Sequence, residues 1–203
     1  MSQEIISKIR STFEESIIVK EKILNKKLHH ILIEIGESIA KSINKGGKLL
    51  VCGNGGSAAD AQHLVAEFLV RLTPDVNRQG LPALSLVQDS STFTACINDY
   101  SSDEIFSRNL ITLAAPEDIL LVITTSGNSP NIIKALEVAK QMNITSIGFL
   151  GGDGGLALDL CDIAFTVPSK ITARIQEAHI TAGHAVMQYV EDKLLAEGFL
   201  IKT

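Results

Sequence analysis

The sequence has few cysteines, and none of them forms a CxxC pair. Cys52, Cys96 and Cys161 are the only three among 203 residues, and they lie far apart. This spacing excludes both a disulfide framework and a thiolate zinc site. We expect three free thiols in a reducing compartment, which predicts a cytoplasmic protein.

Long apolar segments are also missing. The first residues, MSQEIISKIRSTFEES, carry charges throughout and contain no apolar core of the kind found in signal peptides. No uncharged run approaches the length that crosses a membrane. We therefore expect neither a signal peptide nor contact with a membrane.

An excess of basic residues is absent as well. The net charge is −5, which argues against a nucleic-acid surface. A phosphorylated ligand is still compatible with this charge, because helix N-termini and loop amides bind anions without Lys or Arg. With 45% hydrophobic and 20% charged residues, the chain has the composition of one ordinary globular domain.

Apolar residues recur at helical spacing in the first 45 residues. They are Ile5, Ile6, Ile9, Phe13, Ile17, Leu24, Leu28, Ile31, Leu32, Ile35 and Ile39. The pattern predicts one long or two consecutive amphipathic helices that end at Gly46 and Gly47. Their apolar face is broader than a helix beside a small domain needs, so we expect residues 1–45 to pack against other subunits.

From Lys48 onward, short apolar runs alternate with helical segments. The predicted strands are 48–52, 81–87, 119–124, 144–150 and 162–167. The predicted helices are 57–71, 90–97, 103–114, 129–142 and 172–197. Apolar strands separated by helices predict a doubly wound α/β domain with a parallel sheet and an N-terminal helical extension. Ligands of such sheets bind at the C-terminal edges of the strands, where the strand order reverses.

Two loops that directly follow predicted strands have the composition of phosphate-binding loops. The first, GNGGS at 53–57, suits either an anion or a tight strand-to-helix turn, and it matches no nucleotide-binding motif. The second, TTSGNSPNIIKAL at 124–136, places Ser129 at a helix N-cap and Pro130 at the first helical position. Three further hydroxyls precede that cap, on Thr124, Thr125 and Ser126, so the second loop favours phosphate binding.

Two helices carry candidate acid–base residues. His63 and Glu67 are four residues apart and share a helix face just beyond the first loop. Such pairs are also common on solvated helices, and His184 on the last helix is equally compatible with a core histidine. Gln176 and His184 are separated by roughly 12 Å along their helix axis. Two copies of that helix, from different subunits, would bring these side chains to one point more easily.

Four segments in order carry a resemblance to a known family. CGNGGSAADAQH, STFTACINDY, ITTSGNSPNIIKAL and TARIQEAHITAGH together resemble the phosphoheptose isomerases, which act on sedoheptulose 7-phosphate and belong to the sugar-isomerase (SIS) domain superfamily. The resemblance covers nearly the whole chain. It implies a single SIS domain over 1–203, with a flavodoxin-like, five-stranded parallel sheet over 48–203. It also implies a homotetramer with active sites at subunit interfaces and a role in heptose synthesis for lipopolysaccharide or a surface glycan.

The resemblance also implies roles for individual residues. Substrate contacts fall on Asn54, Gly55, Gly56, Ser57, Glu67, Asn98, Asp99, Thr124, Thr125, Ser126, Ser129 and Gln176. Metal ligands fall on His63, Glu67, Gln176 and His184, with Glu67 as the catalytic base and His184 as the acid. The metal is usually zinc, one per subunit. We expect it to be weakly held, because a glutamine amide is a poor zinc ligand.

Two alternatives stay open. A related branch of tetrameric SIS proteins binds the replication initiator DnaA and shares the SAA and AQH residues seen here at 57–63. That branch typically lacks the counterparts of Glu67 and His184, so their presence favours the enzyme. A phosphosugar-sensing module of a transcription regulator is disfavoured by the negative net charge and by the lack of a DNA-binding domain. Residues 72–80 have no assigned role.

Overall fold

The computed structural model describes residues 3–87 and 89–201. The outermost positions of the predicted 1–203 domain, residues 1, 2, 202 and 203, lie outside the described residues, as does Gln88. Within the described ranges no helix is both long and apolar enough to cross a membrane.

The described residues form a five-stranded sheet and seven α-helices. The strands are β1 Leu49–Gly53, β2 Ala83–Ser85, β3 Ile119–Thr124, β4 Thr145–Gly151 and β5 Ile163–Val167. The helices are α1 Gln3–Asn25, α2 His29–Asn44, α3 Gly56–Leu69, α4 Ser90–Asp99, α5 Ile105–Leu113, α6 Pro130–Gln141 and α7 Thr172–Ala196. Short 3₁₀ helices occupy Ser102–Glu104 and Gly155–Leu160.

The N-terminal extension is two helices rather than one. Lys27 adopts a positive φ of 55°, a conformation that interrupts α-helical hydrogen bonding between α1 and α2. The predicted stop after α2 is confirmed, since Gly46 has a φ of +87° just beyond Asn44.

All strand pairs are parallel, in the order β2-β1-β3-β4-β5. This confirms the predicted five-stranded, flavodoxin-like sheet. Strand β1 pairs with β3 so that Val51 lies beside Leu121, and the chain crosses to opposite sides of β1 to form β2 and β3. The order therefore reverses between β1 and β3, and both candidate loops emerge at that point.

Strand β2 is shorter than the predicted 81–87. It pairs with β1 over only three residues at the sheet edge. Pro82 precedes the strand and has no N–H to donate to the ladder. Leu86 is buried and donates its N–H to the Val51 carbonyl, although it lies beyond the regular strand. The apolar residues of 81–87 therefore indicate which positions are buried, but not how many of them pair in the sheet.

Helices cover both faces of the sheet, as a doubly wound fold requires. Leu49 and Val51 face one core, shared with α1, α2, α3 and α7, whereas Leu50 and Cys52 face the other, shared with α4, α5 and α6. Helix α1 buries only Val19 and Ile23. Its other apolar residues are largely exposed in the single chain, namely Ile5, Ile6, Ile9, Phe13, Ile17, Ile18 and Leu24.

Candidate active site

The first loop turns sharply from β1 into α3. Gly55 has a φ of +57° and occupies the N-cap position of α3, a conformation that favours glycine. Gly56 lies close to α7: a Cβ there would lie 2.5 Å from Nε2 of Gln176, so any larger residue would displace the end of that side chain. The glycines therefore serve both the turn and a close approach to α7.

The second loop leads from β3 into α6. Ser129 is the N-cap residue of α6, as predicted, but its side chain makes no capping hydrogen bond. The Ser129 hydroxyl therefore makes no N-cap hydrogen bond and is available to a ligand. Thr124 is buried and its Oγ1 accepts the Gly127 N–H at 3.2 Å, while Ser126 Oγ accepts the Asn128 N–H at 3.2 Å. These bonds shape the loop around its exposed hydroxyl groups.

The two loops and the start of α7 line one pocket of about 280 Å³. The lining residues are Asn54, Gly55, Gly56, Ser57, Ile123, Thr124, Thr125, Ser126, Ser129, Thr172 and Gln176. None of them is charged. Helices α3, α6 and α7 all begin here, at Gly56, Pro130 and Thr172. Their N-terminal N–H groups and aligned dipoles favour an anion without Lys or Arg.

A pair of asparagines joins the two loops. Asn54 Nδ2 donates to Asn131 Oδ1 at 2.8 Å, and Asn131 Nδ2 donates back to Asn54 Oδ1 at 3.0 Å. Asn131 lies in the first turn of α6, two residues after Ser129. The reciprocal bonds fix the separation of the loops.

His63, Glu67 and His184 meet farther along α3 and α7. The two Nε2 atoms of the histidines lie 2.8 Å apart, and His63 Nε2 lies 3.5 Å from Glu67 Oε1. At this distance an N–H on one ring donates to the nitrogen of the other, and the tautomers decide which ring is the donor. The His63 side chain is 48% exposed and that of Glu67 is 18% exposed, so the cluster is open to a ligand.

The structure brings together most, but not all, of the predicted site residues within one chain. Gln176 lines the phosphate-type pocket, two helical turns before His184. Asn98 and Asp99 lie at the exposed end of α4, bonded to each other at 2.8 Å, and do not line that pocket. Their contact with substrate, and that of Gln176 with metal, stay predictions.

A larger pocket of about 570 Å³ lies elsewhere, between α1 and the segment that joins β5 to α7. Its lining mixes cations and carboxylates, including Glu15, Lys22, Asp153 and Lys170. It contains neither loop and none of the His63, Glu67 and His184 cluster. The smaller pocket stays the predicted phosphate site, because it contains both predicted loops and three helices begin at it.

Comparisons with known proteins decide the family. The SIS domain family matches residues 12–151. The phosphoheptose isomerase of Thermodesulfovibrio yellowstonii is 47% identical over 191 residues, covering 94% of each chain. The structure of a phosphoheptose isomerase from Francisella tularensis is 36% identical with a TM-score of 0.88, covering 95% of this chain and 100% of that one. The Neisseria gonorrhoeae phosphoheptose isomerase is 37% identical with a TM-score of 0.85, covering 93% and 99%.

The chain belongs to the phosphoheptose isomerases of the SIS-domain family. The resemblance stated from four sequence segments is thereby confirmed, together with the fold that it implied.

For a phosphoheptose isomerase, the His63, Glu67 and His184 cluster is a candidate metal centre. One donor atom from each residue lies within 4.8 Å of the others. Two imidazoles and a carboxylate are ordinary zinc ligands, and three protein ligands leave a fourth position for substrate. Ligand atoms around tetrahedral zinc are about 3.3 Å apart at normal bond lengths. The two rings would need to separate by a small amount from their 2.8 Å contact, so the donor set fits the ion.

Sequence reasoning missed three residues that this phosphoheptose isomerase brings to the site. Thr172 and Asn131 are described above. Asp60 is the third: burial raises the pKa of its carboxyl, and the nearby His63 and His184 oppose that rise. Its Oδ2 is buried without a hydrogen-bond partner among the described residues. Spacing could have indicated Asp60, which precedes His63 by three residues on α3, and Thr172, which precedes Gln176 by four on α7.

Proposed function

We propose that the protein interconverts sedoheptulose 7-phosphate and D-glycero-D-manno-heptose 7-phosphate, as an aldose–ketose isomerase of heptose synthesis. Family membership supports the reaction class. The observation that carries the proposal is the arrangement along α3 and α7. Both helices begin at the uncharged phosphate-type pocket, and His63, Glu67 and His184 lie roughly 10, 16 and 18 Å farther along their axes. Helical side chains lean toward the helix N-terminus, which brings these groups closer to the pocket, and a seven-carbon sugar phosphate has its phosphate and its carbonyl near opposite ends.

The reaction moves one proton between two neighbouring carbons. In the proposed mechanism Glu67 takes a proton from C1 of the ketose while His184 gives a proton to the C2 oxygen, which yields an enediol. Glu67 then returns its proton to C2, and His184 takes the proton of the C1 oxygen, which leaves the aldehyde. Atoms and charges balance, and the reaction needs no external oxidant or reductant.

A divalent metal, zinc in our proposal, would be held by His63, Glu67 and His184 and would stabilise developing negative charge on the substrate oxygens. Gln176 is the fourth ligand implied by the resemblance. The uncharged hydroxyls of Thr124, Thr125, Ser126 and Ser129, with Asn54, Gly55, Gly56 and Ser57, would hold the phosphate. Asn98 and Asp99 would contact the sugar hydroxyls.

The proposed assembly is a homotetramer with residues 1–45 at the subunit interfaces. Its support is the exposed apolar face of α1, where Phe13 is 68% exposed in the single chain. A cytoplasmic location is supported by the free state of Cys52, Cys96 and Cys161. The heptose phosphate would then enter the synthesis of lipopolysaccharide or another surface glycan.

Binding of the replication initiator DnaA is the second candidate carried from the sequence. The relatives reported above bear the isomerase name, and Glu67 and His184 meet through His63 as an acid–base cluster would require. Both observations favour the enzyme.

The deciding experiment is turnover of sedoheptulose 7-phosphate, followed by NMR, with zinc added and with a chelator. We expect the aldose phosphate to form, and to form faster with zinc. No product from the folded protein under either condition would refute the isomerase proposal. Equal rates under both conditions would refute the metal while leaving the isomerase standing.

A further inference from the structure

Arg78 is a buried cation in the loop between α3 and β2, within the segment 72–80 that sequence reasoning left unassigned. Its side chain is 1% exposed. Nη2 donates to the Glu67 carbonyl at 3.0 Å, and Nη1 donates to the Phe68 carbonyl at 3.1 Å and to that of Gln79 at 3.0 Å. Arg78 therefore binds the end of the helix that carries Glu67.

Arg78 supplies donors at the end of α3, where the Phe68 carbonyl also accepts the Leu81 N–H at 2.8 Å. Helix α3 ends at Leu69, and the last four carbonyls of an α-helix have no partner within the helix. A cation at a helix C-terminus also interacts favourably with the helix dipole. The planar fork of Arg78 serves two of these carbonyls at once, which a lysine ammonium could not do with the same geometry.

The same guanidinium also binds α7. Its Nε donates to Oε2 of Glu191, whose side chain is 1% exposed. Glu191 follows His184 by seven residues, so the two lie on one face of α7 about two turns apart. One side chain thus joins the end of α3 to α7, beyond the acid–base cluster.

Helices α3 and α7 are therefore held together at three levels. At the start, Gly56 lies against Gln176, and in the middle a Cβ on Gly183 would lie 2.6 Å from Leu64 Cδ2. The Arg78–Glu191 pair forms the third level. The contact between His63 and His184 lies between the first and third levels, so its separation depends on both ends.

We propose that Arg78 and Glu191 form a positioning pair that sets the placement of Glu67 on α3 relative to His184 on α7. This inference rests on the proposed function, because it assigns the pair to the same acid–base cluster. Neither residue touches the substrate in this account. Buried ion pairs are often no more stabilising than apolar residues of similar volume, so a role in placement explains the pair better than stability does.

The test compares turnover in the double variant Arg78→Met/Glu191→Met with the wild type. Two apolar side chains fill the volume and leave no unpaired buried charge, while the Glu67 and Phe68 carbonyls lose the Arg78 donor. Circular dichroism and denaturant unfolding establish that the variant is folded before its kinetics are compared. We expect kcat to fall about 10–100-fold, the size of loss that small misplacements cause. KM should change by less than about threefold, because the phosphate pocket lies at the other end of both helices. Lys48→Met is the control, since it breaks the Lys48–Asp118 ion pair at the N-terminal ends of β1 and β3, away from the candidate site, and should leave kcat unchanged.

Imidazole nitrogen NMR of the metal-free protein gives a readout that does not depend on activity. In the wild type, His63 and His184 should hold opposite tautomers because one Nε2 donates to the other. In the double variant we expect the averaged tautomers of free imidazoles. If the wild type fails to turn over sedoheptulose 7-phosphate, the proposed function fails, and this comparison still decides the role of the pair.

Unchanged imidazole spectra in the folded double variant would overturn the inference, and so would a kcat within twofold of the wild type. If the double variant does not fold, Glu191→Met provides the comparison, because it removes the bond to α7 while Arg78 keeps its carbonyl partners on α3. Equal losses of kcat in Lys48→Met would also overturn the inference, since they would mark a general loss of stability.

Discussion

The phosphate-type pocket depends on a side-chain pair rather than on a charged residue. Asn54 and Asn131 exchange two hydrogen bonds across the loops, and the pocket lining contains no Lys or Arg. In the proposed function, phosphate binding would come from amide and hydroxyl donors held in place before the ligand arrives, so loop geometry would matter more than net charge.

Removal of the Asn131 amide should therefore weaken substrate binding. The Asn131→Ala variant loses two bonds, each contributing about 1 kcal/mol, which frees the first loop. We expect KM for the sugar phosphate to rise about tenfold, with a much smaller change in kcat. Steady-state kinetics measure this, with Asn44→Ala as the control, because it removes an exposed asparagine bond to Glu197 far from the pocket. An unchanged KM would show that the loops hold their places without the pair.

His179 illustrates a histidine with a structural role. Its Nε2 donates to the Leu150 carbonyl at 2.9 Å, and burial lowers its pKa from 6.5 to about 4. Between pH 6.5 and about pH 4, His179 is therefore protonated in the unfolded chain and neutral in the folded chain. Stability contributed by neutral His179 is complete above about pH 6.5 and is lost as the pH falls toward 4.

The His179→Gln variant should be insensitive to this titration. Between pH 7 and pH 4 we expect the wild type to lose about 3 kcal/mol of stability relative to the variant. Denaturant unfolding of both proteins across this range measures the difference. A difference that stays constant with pH would contradict the lowered pKa.

At the level of single residues, the sequence indicated the pocket residues whose type alone suggests their chemistry. The hydroxyls after β3 and the glycines after β1 do line one pocket. Asn131 and Asp60 were missed because their importance comes from neighbours in other elements, and an asparagine or aspartate on a helix has no distinctive local pattern. Arg78 was missed for the same reason, since its partners lie on α3 and α7.

At the scale of elements, the close packing of α3 on α7 brings the acid–base residues together. Gly183 lies where a side chain would contact Leu64, with a Cβ 2.6 Å from Leu64 Cδ2. A glycine inside a helix costs stability, and here it allows the two helices to approach. Boundaries such as those of β2 were less predictable, because burial extends past the paired residues.

The Gly183→Val variant should separate these helices. Overpacking of this kind costs about 1–3 kcal/mol, and the displaced His184 should reduce turnover. Ala185→Val is the matched control, because Ala185 is exposed on the same helix. Thermal unfolding and kcat together measure the effect. Equal behaviour of the two variants would contradict a specific contact between Gly183 and Leu64.

At the scale of the whole molecule, α1 presents an apolar face that a single chain leaves in water. Ile9 and Phe13 are 55% and 68% exposed, and they lie one turn apart on the same side of α1. Sequence reasoning identified this face from its width, although one chain alone could not show what covers it. In the proposed tetramer, another subunit would cover this apolar face of α1.

Charges on that face should dissociate the assembly. The Ile9→Asp/Phe13→Asp variant should lower the molar mass measured by light scattering from that of a tetramer and reduce activity with it. Glu21→Ala, at an exposed polar residue of the same helix, should leave the mass unchanged. An active wild-type monomer would refute the tetramer.

The central claim is that Glu67 is the base of an isomerase acting on sedoheptulose 7-phosphate. The most direct test measures aldose phosphate formation by the wild type, by Glu67→Gln and by Glu137→Gln, the same change at an exposed carboxylate of α6. We expect rapid formation by the wild type and the Glu137 variant, and about 10²–10⁴-fold slower formation by Glu67→Gln with inorganic phosphate still bound. Wild-type rates in Glu67→Gln, or no product from the folded wild type, would contradict the claim.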